Sequence, residues 1–295
     1  MSNKFYIPKL AVFGVGLIGG SLAIALKNAG AVGQVIGVGR SLENLNKALA
    51  LGVIDEVQSD PLTATKDADL IVLATPVNTV IRMLEKIEPA LDYRKIVTDV
   101  GSVKGEIAQR AKSILGDKIS QFIPGHPIAG KEKSGVTAAA GNLFENHKVV
   151  LTPLSSSDRH AYAQVERMWL TVGALVTEMD VLSHDRVLSI TSHLPHLLSY
   201  TMMNFLSNSQ EKDKCYEMAA GGFYDFTRTA SSDPEMWRDI SLMNRQQLLR
   251  HLGEFQSELS GIAELIESGD EQAIETLFAS AKKARSLVSD RRSSD

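Results

Sequence analysis

Short apolar runs alternate with amphipathic or Ala/Leu-rich stretches over the first part of the chain. Residues 10–13, 35–38, 70–73, 96–98, 149–151 and 175–177 read as strands, and helical patterns fill most of the gaps. Parallel strands need long crossovers, so this alternation predicts a doubly wound α/β domain over residues 1–179, built on a mostly parallel sheet. After Asp180 the strand signals stop, and helical patterns punctuated by Gly221-Gly222, Pro234 and Gly269 predict an all-α domain over 180–295. Leu248, Leu252, Phe255, Leu259, Ile262 and Ile266 form the stripe of a long helix packed against other helices. Asp233 as N-cap and Pro234 at the first helical position are expected to start that helix, and Gly269 to end it.

Residues 10–26 carry no charge and approach the ~18 apolar residues of a membrane span. Glycines and Ser21 interrupt the stretch, and the order of features that a secretory signal needs is missing. Gly14-Val15-Gly16-Leu17-Ile18-Gly19 instead follows the first strand and opens a helix, the setting in which G-x-G-x-x-G marks a dinucleotide site. Gly14 permits the tight turn, Gly16 lets a pyrophosphate approach the backbone, and Gly19 lets helix and strand pack closely. The helix start at Leu17 and Ile18 supplies amides and positive dipole. The α/β domain is therefore expected to be Rossmann-type.

The end of the second strand is where a carboxylate would hold the ribose of NAD, and here it reads Gly39-Arg40-Ser41. Arg40 suits a 2′-phosphate and Ser41 can donate to it, so NADP is the expected cofactor, with NAD possible. Ser41 equally suits capping the next helix. Thr75 and Ser102 complete the candidate cofactor-binding residues.

Composition narrows the class. The chain has 295 residues, 44% hydrophobic and 22% charged, which suits a folded chain of about two domains and not a disordered or fibrous one. A net charge of -4 offers no electrostatic footprint for nucleic acid or an anionic membrane. The single cysteine, Cys215, cannot form an internal disulfide, which fits a cytoplasmic protein.

Asp99-Val100-Gly101-Ser102-Val103-Lys104 follows a strand and leads into a helix, placing Ser102 where α/β folds bind ligands, or equally at a helix N-cap. His126 lies in Pro124-Gly125-His126-Pro127-Ile128-Ala129-Gly130, expected to be an irregular, rigid loop. An imidazole there suits accepting a proton from a substrate hydroxyl as hydride leaves the same carbon. His184-Asp185 and Ser192-His193-Leu194-Pro195-His196 share one predicted helix, and Pro195 would interrupt it by freeing the carbonyl of Thr191. His193 and His196 share a face, but no third metal ligand is evident, so no metal is expected. Arg228, in an aromatic, Gly-rich loop over 221–234, is a candidate carboxylate clamp or a surface arginine paired with Asp225 or Asp233.

Together these segments resemble the prephenate/arogenate (cyclohexadienyl) dehydrogenase family of tyrosine biosynthesis. Gly-Leu-Ile-Gly-Gly-Ser at 16–21, Asp-Val-Gly-Ser-Val-Lys at 99–104, His-Pro-Ile-Ala-Gly at 126–130, Ser-His-Leu-Pro-His at 192–196 and Asp-Phe-Thr-Arg at 225–228 stand in the family's order. The resemblance implies oxidative decarboxylation of prephenate to 4-hydroxyphenylpyruvate, or of arogenate to tyrosine, with hydride passing to NAD(P). It implies that His126 accepts the hydrogen bond of the ring hydroxyl, that Ser102 orients it, and that Arg228 holds the ring carboxylate. His196 and Gly221 would face the substrate side chain, with His196 also counted as catalytic. Glu132 and Asp225 would join a polar network at the pocket entrance, and Trp237 would reach the partner subunit's pocket. A homodimer through the helical domain is implied as well. A β-hydroxyacid dehydrogenase would carry a lysine where this chain has His193 and His196, and a non-catalytic NADP-binding sensor would leave the histidine and arginine segments without purpose.

Overall fold

The computed structural model describes the backbone of residues 5–131 and 133–294, and side chains as far as residue 288. The first strands and helices alternate as β1 (Ile7–Phe13), α1 (Leu17–Asn28), β2 (Val32–Val38), α2 (Leu42–Ala50), β3 (Glu56–Gln58), α3 (Pro61–Asp67), β4 (Leu70–Leu73), α4 (Val77–Ile87), β5 (Ile96–Asp99), α5 (Gly105–Leu115) and β6 (Phe122–Ile123). The six strands pair in the order β3-β2-β1-β4-β5-β6, every neighbouring pair parallel. This is the Rossmann order, and its topological switch point lies between β1 and β4.

Both faces of the sheet are covered, which explains why its strands read as unbroken apolar runs. Along β1, Leu10 and Val12 pack into one core with α1, while Ala11 and Phe13 pack into the other with α4 and α5. A smaller sheet follows from β7 (Gly125–Pro127), β8 (Lys148–Leu151) and β9 (Leu175–Glu178), with α6 (Arg159–Thr171) between the last two strands. The strand β7 runs antiparallel to β8, pairing His126 with Val150. His126 therefore sits in a strand and not in the irregular loop expected from its prolines and glycines. Pro127 is tolerated because β7 is an edge strand.

After β9 every described element is helical: α7 (Val181–Leu188), α8 (Leu194–Ser207), α9 (Lys212–Met218), α10 (Gly221–Thr227), α11 (Pro234–Met243), α12 (Arg245–Ser268) and α13 (Glu271–Ser294). Residues Ser189–His193 between α7 and α8 form a π-helical turn, the irregularity that the missing amide of Pro195 calls for. Two expectations are corrected. The Gly-rich stretch at 221 is helix α10 and not a loop, with the Thr227 hydroxyl bonding back to the Phe223 carbonyl. The helix that Asp233 caps ends at Met243, because Asn244 leaves the helical conformation (φ -106°, ψ 25°). The apolar stripe belongs to a separate helix, α12, which Gly269 ends with φ +66°.

By packing, residues up to Arg245 form one compact unit and those from Gln246 onward a second. The uncharged stretch at 10–26 is accounted for by β1, its glycine turn and α1, and among the described residues no helix is long and apolar enough to cross a membrane.

Candidate active site

The glycine turn after β1 is shaped for a backbone-bound anion. Gly14 adopts φ +94°, and a Cβ there would lie 2.4 Å from the Ala74 carbonyl oxygen. A Cβ on Gly19 would lie 2.3 Å from the Gly14 carbonyl oxygen, so α1 packs onto the turn only without a side chain. At Gly16, by contrast, a Cβ would meet nothing within 4 Å. The space beside it opens onto the N-terminus of α1, which has no side-chain cap and no acidic residue in its first turn to compete with an anion.

The Thr75 hydroxyl, at the end of β4 and against Gly14, is buried without a hydrogen-bond partner. Asn44 ties α2 to the turn by donating to the Val15 carbonyl at 3.0 Å. Ser41 caps α2, accepting from the Asn44 amide, and Arg40 beside it is exposed. Open amides at Leu17 and Ile18, an unsatisfied hydroxyl, and a cation in place of a carboxylate at the end of β2 fit a dinucleotide.

At the same edge of the sheet, the turn from β5 to α5 is clamped to β7. Lys104 and Asp99 are completely buried and paired. The Lys104 ammonium also donates to the Gly125 carbonyl at 2.7 Å, while Asp99 accepts from the amides of Gly101 at 2.8 Å and Gly125 at 3.3 Å. Burial pulls the Lys104 pKa down, and Asp99 opposes that shift. These bonds hold the turn bearing Ser102 against the residue next to His126. Ser102 itself does not cap α5. The Asp185 carboxylate, from α7, accepts from the amides of Lys104 and Gly105 at 2.8 Å each. A Cβ on Gly105 would lie 2.7 Å from that carboxylate.

Asp185 also accepts from His184, whose Nδ1 lies 2.8 Å from Oδ1, and His184 Nε2 lies 2.9 Å from His126 Nδ1. A carboxylate at neutral pH only accepts, so the proton on His184 sits at Nδ1 and its Nε2 carries a lone pair. His126 must then donate from Nδ1, which leaves its own Nε2 with the lone pair. Burial pushes the His126 pKa well below the usual histidine value, and the nearby His184, Lys104 and His193 push it the same way. A neutral, oriented imidazole results. Burial also lowers His184, against the opposing pull of Asp185.

The helical elements supply the other wall. Asn244 donates to the Asp185 carbonyl at 2.8 Å and to His193 Nδ1 at 3.0 Å, placing the His193 proton on Nε2, which is buried. Burial lowers His193 to about 4. His196 uses Nδ1 to bond the Ser192 carbonyl at 2.9 Å and stacks on Trp237 with ring centroids 3.6 Å apart. Trp237 thus packs against His196 of its own chain. The Nδ1 atoms of His193 and His196 are engaged separately, and among the described residues no group of three or more His, Cys, Asp or Glu is placed to hold a metal.

Arg228 is exposed at the end of α10 and lines an open cavity of about 640 Å³ with Gly130, Lys131, Lys133 and Thr137. Its charge reaches His196, lowering that pKa alongside the larger effect of burial. Gly221 and Asp225 lie exposed on α10, and Glu132 is outside the described residues. Sequence reasoning missed Lys104, Asn244 and the roles of His184 and Asp185. Only the Lys104 partnership had a local signal, an acid and a base flanking the Gly101 turn, since Asp185 and Lys104 are 81 positions apart.

Comparison with known proteins agrees with this geometry. The model of the prephenate dehydrogenase nucleotide-binding domain matches residues 22–178, and that of the prephenate dehydrogenase dimerization domain matches 180–280. A prephenate dehydrogenase of Bacillus subtilis is 37% identical over 274 residues, 92% of this chain and 74% of that one. The Aquifex aeolicus prephenate dehydrogenase structure in complex with hydroxyphenyl propionate and NAD+ superposes with TM-score 0.89 at 36% identity, covering 97% of this chain and 100% of that chain. A Synechocystis arogenate dehydrogenase superposes with TM-score 0.80 at 30% identity, covering 94% of this chain and 98% of that chain. With both of its halves matched and a histidine-bearing pocket edge built beside a dinucleotide cradle, this chain belongs to the prephenate dehydrogenase family.

Proposed function

We propose that this protein oxidatively decarboxylates prephenate to 4-hydroxyphenylpyruvate in tyrosine biosynthesis, using NADP in preference to NAD. The observation that carries this reading is His126. It is a buried, neutral imidazole whose Nε2 lone pair is left free by a fixed hydrogen-bond chain, at the edge of the sheet that also carries the glycine cradle. Gly14, Gly16, Leu17, Ile18, Gly19, Thr75 and Ser102 would line the dinucleotide, with Arg40 and Ser41 at its 2′-phosphate. The nicotinamide, when bound, takes the hydride from the hydroxyl-bearing ring carbon.

His126 Nε2 accepts the hydroxyl proton as the carbonyl forms, and Ser102 orients that hydroxyl. Loss of carbon dioxide then returns the bonding electrons to the ring and leaves a phenolate, which takes the proton back from His126, so no net proton is released. Arg228 pairs with the ring carboxylate and contributes through orientation and binding, because gripping a leaving carboxylate tightly would oppose its loss. His196 and Gly221 face the side chain, while Asp225 and Glu132 belong to the entrance. We place nucleotide binding in residues 1–179, and substrate binding and homodimer formation in 180–295. The dimerization-domain match and the exposed Leu259, Ile266 and Phe278 of α12 and α13 support that dimer. The lone Cys215 suits a cytoplasmic setting.

A second reading, arogenate, draws on His196. With Nδ1–H committed to the Ser192 carbonyl and its pKa lowered by burial, neutral His196 offers a lone pair suited to the side-chain ammonium of arogenate. Comparing kcat/KM for prephenate and arogenate, each with NADP and NAD, decides between the readings. Turnover of neither substrate with either cofactor would end both.

A further inference from the structure

We propose that His184 is a positioning residue that fixes the reactive tautomer of His126 and shares its proton during the reaction, with Asp185 holding His184 in turn. The proton-sharing step rests on the functional reading above, whereas the tautomers follow from geometry alone.

The three side chains lie in line. Asp185 Oδ1 to His184 Nδ1 is 2.8 Å, His184 Nε2 to His126 Nδ1 is 2.9 Å, and the imidazole planes meet at 61°. His184 is completely buried and Asp185 nearly so. Asp185 stays ionised because His184 and the α5 amides of Lys104 and Gly105 outweigh the cost of its burial. The groups that face His126 are His184, Lys104 and His193, and those that face His184 are Asp185, Lys104 and Asp99. Only Asp185 and Asp99 among them are anionic, and Asp99 is already paired with Lys104.

A positive charge formed on His126 is therefore poorly placed, whereas one on His184 lies against a carboxylate. As the substrate O–H bond breaks, a proton joins His126 Nε2. The proton on His126 Nδ1 moves toward His184 Nε2, and the charge comes to rest as a His184–Asp185 ion pair. When decarboxylation generates the phenolate, the Nε2 proton leaves, the Nδ1 proton returns, and the starting tautomers are restored. The only oxidant is the nicotinamide dinucleotide, which takes the hydride. An adjacent carboxylate that selects an imidazole tautomer is a recurring device for holding a base ready.

The test has two arms. In the unsubstituted protein, ¹⁵N-histidine NMR, assigned with His126→Asn and His184→Gln, should show both residues protonated at Nδ1 and bare at Nε2 at neutral pH. An Nε2–H tautomer for either would overturn the proposal, whatever the substrate proves to be. In single turnover, His184→Gln keeps an acceptor for His126 but cannot take a proton. It should slow the chemical step by roughly tenfold or more and leave the dissociation constant of NADP within about threefold.

The same substitution should turn a curved proton inventory into a linear one and move the acid limb of the rate to lower pH. An unchanged rate and proton inventory would refute proton sharing. If His184→Gln does not fold, a linear inventory in the unsubstituted protein refutes it equally. If the unsubstituted protein turns over neither prephenate nor arogenate, the functional reading and the sharing step built on it both fall, while the tautomer assignment is decided by the NMR alone.

Discussion

Replacing Lys104 with methionine tests how the site is held together. The substitution nearly preserves the length of the side chain and removes its charge from a position with no exposure to solvent. Asp99 would be left buried with the amides of Gly101 and Gly125 but no counter-ion, and the Gly125 carbonyl would lose its donor. Breaking a buried pair from one side costs about 3–5 kcal/mol, because the remaining charge is stranded. For a domain of this size that corresponds to a fall in Tm of roughly 6–20 °C, at about 2–4 °C per kcal/mol.

The cost comes from a stranded charge, so removing that charge as well should recover part of the loss. Differential scanning calorimetry of Lys104→Met and Lys104→Met/Asp99→Asn measures this, and the double variant should be the more stable of the two. A loss below about 1 kcal/mol, or a double variant no more stable than Lys104→Met, would refute the claim that this pair clamps the turn to β7.

The glycine turn gives a paired expectation. Gly16→Ala should keep the stability of the unliganded protein and lose NADP binding at least tenfold, whereas Gly19→Ala should lose both, since its Cβ meets backbone at 2.3 Å. Titration calorimetry and thermal melts read the two effects, and equal behaviour of the variants would contradict the cradle. Arg40→Asp should reverse the preference of kcat/KM from NADP toward NAD, and an unchanged ratio would remove Arg40 from the 2′-phosphate site. Acid should destabilise the fold. His126, His184 and His193 all have folded pKa values below their unfolded value of 6.5, so stability is full above that pH and is lost as pH falls toward the folded values. His193, at about 4, contributes roughly 3 kcal/mol of that loss by 1.36 kcal/mol per unit. Urea titrations from pH 7.5 to 4 that show no decline in midpoint would contradict the neutral, buried histidines.

The Rossmann half was legible because its signals are local. Apolar runs such as residues 10–13 and 70–73, and a glycine fingerprint with strand before and helix after, carry their own context. Pro195 announced its π-helical turn through the backbone donor it lacks. The small sheet was less so, since β7 has three residues, two of them glycine and proline, and extends only because β8 offers it a pairing edge. The break at Asn244 was hidden for a related reason. The apolar periodicity on either side suggests continuity, and the interruption is fixed by long-range bonds to Asp185 and His193. His126, Ser102 and Arg228 stood out by residue type and neighbours. His184 and Asp185 did not, because their roles exist only once α7 is laid against α5 and β7.

The central claim is that His126 is the base of an oxidative decarboxylation. Its most direct test follows reduced nicotinamide and carbon dioxide together in reactions of the parent protein and His126→Asn with prephenate and NADP. The account predicts one reduced cofactor per carbon dioxide for the parent, and for His126→Asn a kcat lower by roughly 10²-fold or more with NADP binding retained. Near-parent turnover by His126→Asn, or reduction of cofactor without release of carbon dioxide, would contradict it.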